Sequence, residues 1–267
     1  MSHGQAAVAA RNAGGAAALA LALTAGLFAQ ESTRLDVIFV PTPMHVVERI
    51  LEMAELKQGE FLIDLGSGDG RIPVTAAKKY GARGLGVDLD PDRIREATEN
   101  VRVQNVGNMV EIRRQNLFET DISKADVISM YLLTDLNLRL RPKLLELTPG
   151  TRLVSHAFSM GDWLPEQKET LAPSYDVYLW IVPTRVNGRW EVQRGEKKFT
   201  VELKQRYQQF EGAAQLNGKS VPVQNGRLRG KEIMFDVQVD GQHGTFRGQV
   251  DGDTIKGSGG WHAKRAG

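Results

Sequence analysis

The sequence predicts an α/β fold, a doubly wound sheet followed by a small all-β barrel or sandwich. Three observations predict it. Between about residues 44 and 158, apolar runs of strand length alternate with stretches of helical periodicity. A glycine-rich loop, Gly66-Ser67-Gly68-Asp69-Gly70, lies directly between one such strand and one such helix. From Val177 onward the helical period is lost, and short β-like runs recur between glycine turns.

Taken in order, Val37 to Pro43 (VIFVPTP) is a short apolar stretch stopped by two prolines. Met44 to Leu56 carries Val46, Val47, Ile50, Leu51 and Ala54 at helical spacing, and Gly59 ends it. Phe61 to Leu65 is a continuous apolar run with Asp64 inside, the pattern of a strand buried on both faces. A helix is expected over Ile72 to Tyr80 and a second strand over Gly84 to Leu89. Pro91 opens a helix to Val103, in the first turn where its missing N–H does no harm. Further strands are expected at Met109–Arg113, Ala125–Leu132 and Thr151–Phe158, with a helix over Asn137–Leu147. Strands and helices alternating in this way place ligands at the C-terminal ends of the strands.

The second unit begins after a boundary near Pro183 to Val186, so the two folded parts are expected at residues 37–183 and 187–267. Val177–Val182, Arg189–Gln193, Phe199–Leu203, Gln209–Ala213, Ile233–Val239, Thr245–Val250 and Thr254–Gly257 read as strands. Asn187-Gly188, Asn217-Gly218, Asn225-Gly226, Asp240-Gly241 and Asp251-Gly252 read as hairpin turns. Trp190, Phe199, Phe210, Phe235, Phe246 and Trp261 are expected in its core.

The composition is that of a folded protein: 267 residues, 41% hydrophobic and 25% charged. A net charge of +2 gives the whole molecule no case as a nucleic-acid binder. Residues 36–174 hold 17 Lys and Arg against 21 Asp and Glu, whereas residues 175–267 hold 15 against 10, so the two units differ in character. There is no cysteine, which removes disulfides, thiolate metal ligands and a cysteine nucleophile. No His/Cys/Glu cluster suggests a metal site, and none is expected.

The glycine loop carries the chemistry. Glycines after a strand let backbone approach a ligand closely. The N-terminus of the next helix attracts an amino-acid carboxylate. Asp64 at the strand end can hold an ammonium, and Asp88, about one βα unit further on, can accept ribose hydroxyls. A dinucleotide site would need G-x-G-x-x-G; here the spacing is G-x-G-x-G, and Asp69 would set negative charge beside a pyrophosphate. Carboxylate, ammonium and ribose together match S-adenosylmethionine.

The run DLGSGDG, then GVDLDP, then Asn116-Leu117-Phe118 after a short third strand, resembles the seven-stranded (class I) S-adenosylmethionine-dependent methyltransferases. The resemblance implies a Rossmann-like methyltransferase sheet with Asp64, Gly66, Ser67, Gly68, Asp88, Asn116 and Leu117 as cofactor contacts, Asn116 near the adenine. Many members carry Asp where this chain has Asn116, and an amide still meets the adenine amino group. Val40 to Pro43 (VPTP), Tyr131-Leu132-Leu133, Ser155-His156-Ala157-Phe158 and Gly161-Asp162-Trp163 resemble a narrower group of protein-lysine methyltransferases. That group includes the mitochondrial enzymes acting on the ATP synthase c subunit and the adenine nucleotide translocator. The implied partner is a polypeptide with an accessible lysine; alternatives are a small-molecule acceptor or a non-catalytic scaffold that binds the cofactor.

By the same resemblance the acceptor lies near the loop after the fourth strand. Tyr131, Asp135 and Asn137 are the catalytic candidates there: Tyr131 as a channel wall, Asp135 as a partner for an incoming lysine. Asp135 reads in preference as the cap of a helix that starts near Leu136. His156 reads as a base or, in slight preference, as a structural histidine. Trp163 reads as a cover for the acceptor pocket or for the core, and Thr42 and Pro43 as a lid. Tyr131 to Thr134 stand where nucleic-acid base methylases carry Asn-Pro-Pro-Tyr, so no nucleic-acid partner is expected.

Residues 1–30 contain the apolar run Ala16 to Ala29, which suits a signal peptide or a short membrane anchor. That reading predicts an exported, periplasmic or membrane-anchored protein, in membrane proximity through its N-terminus. An Ala-rich helix packed on a cytoplasmic protein is the alternative.

Overall fold

The computed structural model describes residues 39–239 and 242–266. The expected signal peptide or anchor at residues 1–30 lies outside the described residues, as does the Asp240-Gly241 turn. Among the described residues no helix is long and apolar enough to cross a membrane.

A seven-stranded sheet forms the first layer, in the order β3-β2-β1-β4-β5-β7-β6. Its strands are β1 (Phe61–Leu65), β2 (Arg83–Asp88), β3 (Val110–Arg114), β4 (Val127–Met130), β5 (Arg152–His156), β6 (Gln167–Leu171) and β7 (Tyr175–Ile181). The helices are α1 (Met44–Met53), α2 (Arg71–Tyr80), α3 (Pro91–Val103) and α4 (Thr134–Leu144). β1 to β5 pair in parallel, as the apolar runs predict. β7 runs antiparallel to β5, and β6 antiparallel to β7. β6 was not expected: Gln-Lys-Glu-Thr-Leu sits at the sheet edge, with two of its five residues part-buried and the rest exposed, and so lacks an apolar run.

Alternation along each strand feeds two cores. Ile63, Leu65, Ile128, Met130 and Leu153 pack with Leu136, Leu140 and Leu144 of α4 on one face. Leu62, Val127, Val154 and Val177 pack with Val46, Val47, Ile50 and Leu51 of α1 on the other. β1 has β2 on one side and β4 on the other, so the chain reverses its direction of winding there and opens a crevice at their C-terminal ends.

Two expectations about α4 are corrected. The helix begins at Thr134, not at Asn137, and Leu133 occupies the N-cap with no side-chain capping bond among the described residues. Asp135 therefore does not cap it; it sits in the first turn, where a negative charge suits the helix dipole.

The second unit is a closed eight-stranded barrel, β8 (Gly188–Arg194), β9 (Lys197–Arg206), β10 (Gln209–Leu216), β11 (Lys219–Arg229), β12 (Glu232–Val239), β13 (Gln242–Asp251), β14 (Thr254–Gly257) and β15 (Trp261–Arg265). Consecutive strands pair antiparallel, and β15 closes on β8. The six predicted aromatic residues fill its interior. Asn217-Gly218 turns between β10 and β11, but Asn225-Gly226 does not turn. It forms a bulge inside β11, where the register shifts between Gln224 and Arg227 and Asn225 has φ +53°. A β-carbon on Gly226 would collide with the Phe210 carbonyl, so the strand needs glycine there. β11 and β15 had escaped the sequence reading because one is bulged and carries Pro222, and the other is short and charged.

The barrel is seated on the sheet through the loop after β5. Trp163 is 1% exposed and stacks on Tyr207, with centroids 5.8 Å apart at 16°. It covers the core. Asp162 beside it joins Arg141 of α4 to Arg206 and the Tyr207 hydroxyl of the barrel.

Candidate active site

A cavity of about 480 Å³ occupies the crevice at the C-terminal ends of β1, β2 and β4. Asp64 lies at its floor, 2% exposed, one residue before the C-terminal end of strand β1. Parallel register places Ser129 of β4 opposite it, and the Ser129 hydroxyl donates to Asp64 Oδ1 at 2.7 Å. Asp64 Oδ2 is buried with no partner among the described residues. Burial, opposed by hydroxyl hydrogen bonds and reinforced by Asp88 and Asp69, pushes its pKa up to about 7.

The loop after β1 is folded by its own backbone. Gly66 and Ser67 donate to the Val87 carbonyl, and Gly68 N–H donates to Asp88 Oδ2 at 2.9 Å. Asp88 Oδ1 accepts from Asp90 N–H at 3.0 Å, so the carboxylate is fixed at the cavity wall between two loops. Gly68 has φ +54°, and a β-carbon on it would strike the Phe39 ring. That ring lies over the loop with the Arg93 guanidinium 4.7 Å from its centroid. Arg71 pairs with Asp69 and donates to the Thr42 carbonyl at 2.8 Å, tying the segment before α1 to the cofactor loop.

Asn116 and Leu117 line the far end with Gln115 and Phe118. Asn116 Oδ1 accepts from Phe118 N–H at 3.0 Å and its Nδ2 donates to Glu119 at 3.2 Å, which turns the amide into its own loop.

The other end is walled by Tyr131, Leu132, Leu133, Leu136 and Phe158. Tyr131 packs on His156 (4.0 Å between centroids, 37°) and on Phe158 (5.9 Å, 28°). His156 is 1% exposed, and its Nδ1 meets Thr42 Oγ1 at 3.1 Å. Burial, helped by the nearby His45, lowers its pKa to about 4, so it is neutral near pH 7 and supports the Tyr131 ring.

One cavity thus gathers Asp64, Gly66, Ser67, Asp88, Asn116, Leu117 and Tyr131, with Gly68 beside it under Phe39. Two of the predicted residues lie apart. Asp135 is exposed outside the lining, and Asn137 is fully buried behind it. The sequence reading missed Ser129, Arg71, Phe39 and Phe158. A lone serine in the apolar run ADVISMYL was the available signal for Ser129. An arginine immediately after the last loop glycine was the signal for Arg71.

The residues present fit S-adenosylmethionine. A buried carboxylate with a free oxygen suits an ammonium, and a fixed carboxylate at the end of β2 suits a ribose. Fold and site together define a class I S-adenosylmethionine-dependent methyltransferase. The sequence model of the ANTKMT methyltransferase domain matches residues 64–167. A protein-lysine N-methyltransferase of Saccharolobus islandicus is 44% identical over 149 residues, 54% of this chain and 92% of that protein. The lysine N-methyltransferase of Rattus norvegicus named for the ATP synthase c subunit is 27% identical over 57% of this chain and 70% of its own length. A solved structure from Salinibacter ruber, named an RNA methyltransferase and bound to S-adenosyl-L-homocysteine, shares 47% identity with a TM-score of 0.54. It covers 55% of this chain and 96% of that one. The chain belongs to the S-adenosylmethionine-dependent methyltransferases, and it is an enzyme that uses S-adenosylmethionine. The match to the domain ends at residue 167, before the barrel begins.

Proposed function

We propose that the enzyme N-methylates a lysine side chain of a polypeptide. The carrying observation is the acceptor end of the cavity, where Tyr131 and Phe158 stack beside Leu132, Leu133 and Leu136. A lysine must lose its proton before it attacks, and an apolar, aromatic wall lowers the ammonium pKa by desolvation. The same rings face the methylated cation that forms, which aromatic surfaces attract. The names of the Saccharolobus and rat relatives support the same acceptor.

In this reading Asp64 Oδ2 takes the cofactor ammonium, Asp88 takes the ribose hydroxyls, and Asn116 and Leu117 border the adenine. The bound cofactor supplies an electrophilic methyl on a sulfonium. That methyl would pass directly to the neutral amine, which the Tyr131 and Phe158 wall would hold towards it. The lysine proton leaves to solvent before attack. His156 holds Tyr131 in place, and Tyr131 and Phe158 align the amine.

The Salinibacter structure, named an RNA methyltransferase, favours a second reading with RNA as the acceptor. The rim of the cavity supports the polypeptide instead: Val40 and Leu133 are exposed and apolar, while Arg71 and Arg93 are already paired with Asp69 and Glu96. Incubation of lysate with the enzyme and methyl-labelled S-adenosylmethionine separates the two. Label recovered as methyl-lysine after acid hydrolysis is the expected result; label in RNA or in a small molecule overturns it.

A further inference from the structure

Asn137 interrupts the buried stripe Leu136, Leu140 and Leu144 of α4, and it is itself 0% exposed. Its Nδ2 donates to the carbonyls of Phe158 and Ser159, at 3.3 Å each. Those two carbonyls fix the amide's orientation, because the reverse would set Oδ1 against both. The Phe158 carbonyl also accepts from Ser155 Oγ at 2.7 Å. The segment held in this way is strained. Phe158 N–H donates to the His156 carbonyl at 2.8 Å, closing a three-residue turn around Ala157, whose φ is +65°. An alanine disfavours that conformation, and glycine adopts it freely. The turn ends in Phe158, which borders the cavity and stacks on Tyr131.

We infer that Asn137 is a positioning residue: by gripping the Phe158 and Ser159 carbonyls it holds the strained Ala157 turn and so sets the Phe158–Tyr131 wall that the acceptor meets. This rests on the reading that the acceptor enters against that wall, but not on what the acceptor is. Loss of the grip lets the turn relax and Phe158 move, while the cofactor end, built on β1 and β2, is untouched.

The test uses Asn137→Ala, Ala157→Gly and the double variant of the full chain, labelled with 3-fluorotyrosine. Five tyrosines give five fluorine resonances, and Tyr131→Phe assigns the one that matters. Asn137→Ala is expected to shift the Tyr131 resonance and leave S-adenosylmethionine affinity within about twofold. With a capped peptide carrying one central lysine, KM should rise about five- to tenfold with a smaller change in kcat. Adding Ala157→Gly should return the resonance and recover most of KM, since the turn then needs no grip. An unmoved Tyr131 resonance, or a loss that Ala157→Gly does not rescue, overturns the inference. Should Asn137→Ala fail to fold, Asn137→Asp keeps the shape without the N–H donors and is judged by the same outcomes. A wild-type protein that leaves the peptide unmethylated sinks the lysine reading alone, and the resonances still decide the role of Asn137.

Discussion

Asp64 carries two opposed duties. Its free oxygen suits a cation, yet burial raises its pKa to about 7 in the folded protein. In the proposed reading the cofactor ammonium binds the ionised form, so affinity should climb as pH rises from 6 to 8 and flatten above, as calorimetry at several pH values would show. The effect on stability has the opposite sign. A carboxyl whose folded pKa is raised contributes stability below its unfolded pKa, and this is lost as pH rises through 7. Asp64→Asn should therefore weaken cofactor binding by about tenfold or more, yet raise the melting temperature of the free enzyme at pH 8 by about a few degrees. Asp88 behaves differently because its carboxylate already accepts from Gly68 and Asp90. Asp88→Ala removes the proposed ribose partner and unpins the loop, so S-adenosylmethionine affinity should fall by about tenfold or more in the same titration.

At the scale of elements, the loop after β1 works because glycine backbone and an aromatic lid were fitted together. Gly68→Ala should meet both the positive φ and the Phe39 ring, and so lose cofactor binding along with stability; Phe39→Ala should relieve the collision but not the backbone strain. Such local features were legible in the sequence. The strand, glycine loop and helix are contiguous, and strands buried on both faces, such as β1 and β4, announce themselves as apolar runs. Features set by partners distant in the chain were not. Edge strand β6 has few apolar residues to show, and the bulge in β11 looks like a turn because Asn-Gly serves both. In the site, Asp64 and Asp88 could be named from spacing. Asn137 was named too, but as a reacting group, because its contact with the carbonyls of Phe158 and Ser159 depends on how α4 docks against β5.

At the scale of the molecule, the barrel joins the sheet through an aromatic stack and a node of charge, with the Gln208–Leu164 hydrogen bond and the Arg227–Glu166 ion pair beside them. Trp163 lies between Trp180 and Tyr207, and the Trp180 indole donates to the Trp163 carbonyl at 2.7 Å. Trp163→Ala should destabilise the protein by about 3–5 kcal/mol and separate the melting of sheet and barrel, read by calorimetry. The Arg206 and Arg141 guanidiniums hold the Asp162 carboxyl well below the usual carboxylate range, so this node keeps its charge in mild acid. The closure of β15 onto β8 also sets an order of assembly. Each barrel strand finds its first partner next along the chain, but β8 has to wait for Trp261–Arg265, more than sixty residues later, to cover its other edge. Until those residues leave the ribosome, the nascent sheet is an open ribbon with two bare edges. A chain cut before Trp261 would keep that state permanently, and self-association rather than lost catalysis would be its first symptom.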